Sequence, residues 1–170
     1  MLAPVILLIL SALMLPLVVW VAYQTGSRAV LGTDVTSAIH EGNGAVGLLL
    51  GSLIWGGATV VVPVLEPAWR SLVLSMPRVG GLEAWLSATA GQVLVVAVCW
   101  VALVVMSTTV FDRLTRGAEE RASVRSGNLA AAWVLAGIIV AGSQLVAAGV
   151  GPLLDELVPY PDVGMVEVLD

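Results

Sequence analysis

The chain has 170 residues, of which 59% are hydrophobic and only 11% charged, with a net charge of −5 and a mean hydropathy of +1.02. A soluble domain carries about 25% charged and about 45–50% apolar residues, and a small globule buries too little of its surface to hide this much hydrocarbon. Composition therefore excludes a soluble domain and a disordered chain, leaves a membrane protein with the lipid bilayer as its first partner, and argues against nucleic acid, which needs a basic stripe.

Four apolar runs, at about 2–23, 45–65, 84–111 and 129–150, reach the roughly 20 residues that span a bilayer. Backbone groups in lipid must be satisfied within the segment, so these runs predict helices. The first opens on Met1-Leu2-Ala3, without Arg or Lys, and exceeds the about 7–15 apolar residues of a signal peptide. It is read as a retained span, with Pro4 tolerated in its first turn and Pro16 kinking it. A polar loop with Arg28, His40 and Glu41 leads into the second run. There Gly47, Gly51 and Ala58 lie on one helical face, with Leu49 on the lipid side. The third run holds Gln92, Cys99 and Ser107 and is long enough to tilt. The fourth holds Ala132, Ala136, Ser143 and Gln144, and an acidic tail follows it. Gln92 and Gln144 fall at compatible depths for an amide–amide hydrogen bond between helices. Trp20, Trp69 and Trp85 fall at predicted interfaces, as aromatic belts do. Trp55, Trp100 and Trp133 lie deeper and are expected to pack between helices.

All seven cations are Arg, and five of them (Arg28, Arg113, Arg116, Arg121, Arg125) lie in the two loops that must share a side. Cytoplasmic loops carry the Arg excess. The expected topology therefore puts both termini outside the cytoplasm, with Arg70 and Arg78 alone on the outer loop.

Shifted by 85 residues, the chain aligns with itself without a gap. Gly42-Asn43 falls on Gly127-Asn128, Arg28 on Arg113, Gly57 on Gly142 and Pro67 on Pro152. The matches lie outside the apolar residues as well as among them, which argues for duplication over chance. The expected architecture is an all-α membrane protein of four transmembrane helices. It is built as two tandem parallel two-helix repeats, 1–85 and 86–170, the third helix starting just before the boundary. Parallel repeats are related by an axis along the membrane normal.

Two stretches carry a family resemblance. Glu41-Gly42-Asn43-Gly44-Ala45, with the Gly-rich span after it, is one copy. Phe111-Asp112-Arg113-Leu114-Thr115 with Gly127-Asn128-Leu129-Ala130 is the other. The chain resembles the bacterial membrane family known as domain of unknown function 350. The first copy departs in having Gly44 and Gly47 for Leu129 and Ala132, and in lacking the Asp-Arg-Leu-Thr run. The resemblance implies tandem two-helix units in the bacterial inner membrane. It implies no activity.

Asn43 and Asn128 each precede a long apolar helix, where an Asn accepts from free first-turn amides. Gly42 and Gly127 permit the tight entry. Simple capping is one reading; two positive helix ends facing one anion or headgroup phosphate is the other. Gly47, Gly51, Ala132 and Ala136 let helices approach closely, within the chain or between copies; a pore lined by small residues is the alternative. Cys99 is a small apolar side chain in a helix, and His40 a solvated loop residue. The spans hold no ionisable residue in their central portions, which weighs against a proton relay. No catalytic set, cofactor site or metal site is expected. The functional expectation is a non-enzymatic, homo-oligomeric scaffold or accessory subunit, with other membrane or cytoplasmic proteins as further partners. A channel or transporter subunit with its path between several copies is the alternative, and a membrane enzyme a weaker one.

Overall fold

The structure, a computed structural model, describes residues 2–32, 34–75, 81–115 and 119–157. Every element among them is helical: α1 (Leu2–Thr25), a π-helical turn (Gly26–Leu31), α2 (Val35–His40), α3 (Gly44–Ser75), α4 (Gly81–Thr115), α5 (Glu119–Arg125) and α6 (Leu129–Leu157). Four of these helices are long and apolar enough to cross a membrane. Arg78, Arg116 and the tail acids Asp162, Glu167 and Asp170 lie outside the described residues.

The helices overrun the apolar runs. α3 passes through Pro63 and Pro67 to Ser75, and its 32 residues span about 48 Å at 1.5 Å per residue. That exceeds the roughly 30 Å hydrocarbon core. Hydropathy marks what lipid tolerates, whereas the backbone ladder continues as long as side chains support it. Beyond the apolar run, Glu66 and Arg70 pair one turn apart on α3. The Trp85 indole of α4 donates to the Ala68 carbonyl at 2.7 Å. The polar loop of the first half is also more ordered than a loop. It holds the π-helical turn and α2, whose N-cap Asp34 accepts from the Thr36 amide at 3.0 Å. Tyr23 at the end of α1 bonds to Thr36 at 2.7 Å and ties the two together.

Close contacts fix the helix directions. A side chain at Gly44 would meet Leu129, and one at Gly56 would meet Ser143 and Ile139, so α3 and α6 run parallel and side by side. This is the most extensive contact in the molecule. A Cβ at Gly57 would lie 3.1 Å from both Val18 of α1 and Trp100 of α4; with Gly26, just past α1, against Leu53, and Trp85 of α4 on Ala68, both helices run antiparallel to α3. A Cβ at Gly142 would lie 2.7 Å from Leu103 of α4. Gly57 and Gly142 are 85 apart, and so are Val18 and Leu103. The core sits where α3, α4 and α6 converge, around Leu53, Val60, Trp100, Leu135 and Ile139. Among the described residues α4 packs extensively on both α3 and α6, while the extensive long-helix contact of α1 is with α3.

Three expectations are corrected. Trp100 is buried, but Trp55 and Trp133 are 63% and 65% exposed, on the open side of the α3–α6 seam. Leu49 is buried against the core and is not lipid-facing. Gln92 and Gln144 do not meet. Gln92 is buried on the inner face of α4, whereas Gln144 is exposed, one residue round the helix from the buried Ser143.

Candidate functional site

Two turns at the Arg-rich end are the most sharply defined polar feature. Each closes a short helix and opens a long one across three residues. In the first, Gly42 takes a φ of 78°, its amide donates to the Ile39 carbonyl at 3.0 Å, and the Asn43 amide donates to the Ala38 carbonyl at 2.9 Å. In the second, Gly127 takes a φ of 93°, its amide donates to Val124 at 3.0 Å, and the Asn128 amide to Ser123 at 3.0 Å. This paired bonding, with a left-handed residue just past the helix end, is the Schellman arrangement, and glycine adopts it without Cβ strain. The asparagine then caps the next helix. Asn43 Oδ1 accepts from the amides of Ala45 and Val46 at 3.1 and 3.2 Å. Asn128 Oδ1 accepts from those of Ala130 and Ala131 at 3.0 and 3.3 Å. The second and third amides of each long helix are thus taken by its own cap, so an anion at these ends would compete with the asparagine oxygens.

The two turns differ in one bond. Asn43 Nδ2 crosses to the other turn and donates to the Arg125 carbonyl at 2.7 Å. Asn128 Nδ2 stays within its own turn and donates to Ser123 Oγ at 2.8 Å. The residue 85 before Ser123 is Ala38, which has no hydroxyl, so the Asn43 amide is left for the carbonyl across the gap. Arg125 also reaches the first half with its side chain: a Cβ at Gly32 would come within 3.0 Å of the guanidinium. Neither contact follows from hydropathy or spacing; the only trace in the sequence is the Ser123–Ala38 mismatch.

This asymmetry makes a prediction. Asp caps as well as Asn but cannot donate from its side chain. Asn128→Asp keeps its cap and can still accept from Ser123, so its stability is expected to stay within about 0.5 kcal/mol. Asn43→Asp faces a carboxylate to the Arg125 carbonyl and is expected to lose about 1–3 kcal/mol. Thermal midpoints of the two variants in detergent measure the difference; equal midpoints would mean that the cross-bond contributes nothing.

Beside the α3–α6 seam runs an open groove of about 540 Å³, walled by Gly47, Gly51 and Trp55 on one helix and by Trp133, Ala136 and Gly137 on the other. Ala132 and Ala136 are buried. Gly47 and Gly51 are exposed, with no heavy atom within 4 Å of where a side chain would begin.

A third feature lies on α4. Trp85, Thr89, Gln92, Val96 and Trp100 follow one another at helical spacing along its inner face. Thr89 Oγ1, both amide atoms of Gln92 and Trp100 Nε1 are buried without a hydrogen-bond partner. Sequence reading picked out Gln92 but missed Thr89, one turn away on the same face. Among the described residues no group of His, Cys, Asp and Glu is placed to hold a metal ion.

The family model described as Domain of Unknown Function (DUF350) matches residues 1–150. No curated protein and no solved structure matches the chain.

Proposed function

The chain belongs to the DUF350 family, and on that premise we propose that it is a protein of the bacterial inner membrane, built from two copies of one two-helix unit, that works as a non-enzymatic homo-oligomeric scaffold or accessory subunit. The observation that carries the reading is the exposure of Gly47 and Gly51. α3 packs against three other long helices, yet these two glycines leave bare backbone at its surface. In lipid, helices associate by close packing at small residues. A backbone left accessible on the most central helix therefore supports a partner helix outside the chain. The 85-residue correspondence of turns, caps and the Val18–Gly57 and Leu103–Gly142 contacts supports the duplication.

The Arg partition supports an orientation with both termini outside the cytoplasm. A C-terminal alkaline phosphatase fusion is expected to be active and a green fluorescent protein fusion dark; the reverse pattern would refute the orientation. Native mass measurement of the purified protein in mild detergent is expected to give a multiple of the chain mass, and a strictly monomeric protein would refute the oligomer. A second reading, a path between copies, draws on Thr59 and Gln144. They are 85 residues apart and carry polar groups one turn beyond the groove residues Trp55 and Val140. Flux measurements in liposomes separate the two readings.

A further inference from the structure

The internal α3–α6 contact is not symmetric, and its asymmetry states what each helix still lacks. On α3, Gly56 meets Ser143 and Ile139 of α6, and Ala45, Leu49, Gly56 and Val60, which follow one helical face, are all buried. Their counterparts 85 residues on, Ala130, Val134, Ala141 and Leu145 of α6, are all exposed, Val134 by 54% and Leu145 by 77%. On α6, Ala132 and Ala136 are buried, and so is Ser143, which follows them on the same helical face and meets Gly56. Their counterparts 85 residues back, Gly47, Gly51 and Ala58 of α3, are all exposed. A two-fold pairing would bury the same face on both helices. Here each buries the face that the other leaves open, which is a head-to-tail contact. The chain ends with one half of its largest interface free on α6 and the complementary half free on α3.

We propose that a second copy of this chain fills both faces: α6 of one copy docks on α3 of the next, repeating between chains the contact α3 makes with α6 within one. The occupant is a second copy because the intrachain interface already shows what covers such a face, and no other chemistry on either face singles out a different partner. The same continuation accounts for α1. Trp100 and Val104 of α4 are buried, Trp100 against Gly57 of α3. Their counterparts on α1, Leu15 and Val19, are 59% and 39% exposed. Among the described residues α4 packs extensively on two long helices and α1 on one; α6 of the adjoining copy supplies the second. Head-to-tail contacts repeat until they close. Because the two repeats share one orientation about an axis along the membrane normal, successive copies are related by rotation about that axis, and closure gives a ring.

This inference rests on the oligomeric reading above and adds the surfaces and their pairing. The closest internal approach, Gly56 to Ser143, translates into one between chains: Ala141, 85 beyond Gly56, against Ala58, 85 before Ser143. In a Cys99→Ser background, a chain carrying both Ala58→Cys and Ala141→Cys is expected to give a ladder of cross-linked species when oxidised in membranes. Co-expressed chains carrying one change each are expected to give dimers only, containing one of each. Cross-linking of the Ala58→Cys chain with itself would overturn the head-to-tail pairing in favour of a two-fold one. An intact oligomer by native mass with no cross-link in the double variant would overturn the surfaces while leaving the oligomer standing. A monomer would overturn both. Gly51→Leu gives a readout without cysteines: the complex is expected to dissociate while the helical circular dichroism stays unchanged. Retention of the full native mass would count against the α3 face.

Discussion

Gly56→Leu is expected to prevent α3 and α6 from closing on each other and to lower the stability of the single chain by about 3 kcal/mol or more, the upper end of what overpacking a filled site costs. The reason is local. A Cβ at Gly56 would overlap Ser143 Oγ and lie 3.3 Å from Ser143 Cβ and 3.5 Å from Ile139 Cγ2. Ser143 is fully buried, and its hydroxyl donates to the Ile139 carbonyl at 2.8 Å, so it has no open space into which to turn. Leucine adds three further carbons beyond that Cβ. The smaller change Gly56→Ala should carry part of the loss, and Ser143→Ala made with it should restore much of that part by removing the overlapping oxygen. Such a rescue assigns the effect to this contact, because neighbours in contact depart from additivity. The control is Gly51→Leu, a little over one turn away, where nothing lies within 4 Å. Its effect on the melting of the separated chain should stay within about 0.5 kcal/mol. Equal losses for Gly51→Leu and Gly56→Leu would mean that the α3–α6 contact is not where the structure places it.

The contrast between these two glycines shows what a sequence carries and what it does not. Both sit in an apolar run at small-residue spacing, and both read as packing positions. Depth along a helix follows from counting residues; direction around it depends on where the neighbours lie. That is why four spans were legible from length and apolar content alone, while Trp55 and Trp133, at depths that suggest burial, face outward. It also explains the two glutamines, matched in depth and turned to different surroundings. The caps at Asn43 and Asn128 were legible because capping is local: residue type, the preceding glycine and the following helix decide it. The bond from Asn43 to the Arg125 carbonyl was not, since it joins residues 82 apart and exists only because α3 and α6 start side by side. Helix ends were missed in one direction only: α3, α4 and α6 all continue past their apolar runs. Ion pairs such as Glu66–Arg70 and the Trp85–Ala68 bond support turns that hydropathy scores as loop.

Gln92→Leu is expected to stabilise the protein, by about 1–3 kcal/mol. Gln92 is 2% exposed, and neither its amide nitrogen nor its oxygen has a hydrogen-bond partner. Thr89 Oγ1, one turn away on the same face, is in the same state. An unpaired buried amide costs about 1–3 kcal/mol in proteins, and leucine has similar bulk without polar atoms. The seam around the site is held independently: the Trp85 indole is anchored on the Ala68 carbonyl on one side, and Trp100 packs against Gly57 on the other. The substitution therefore removes a desolvation cost without loosening the helices. Thr89→Val should act in the same direction with a smaller effect, and the two together should not be strictly additive, because the side chains are neighbours on one face. The measurement is the thermal midpoint of each variant in detergent beside the parent chain. A loss of stability in Gln92→Leu would reverse the argument. It would mean that the amide is engaged by a water or a polar ligand inside the α3–α4 seam, and Thr89→Val should then lower the midpoint as well.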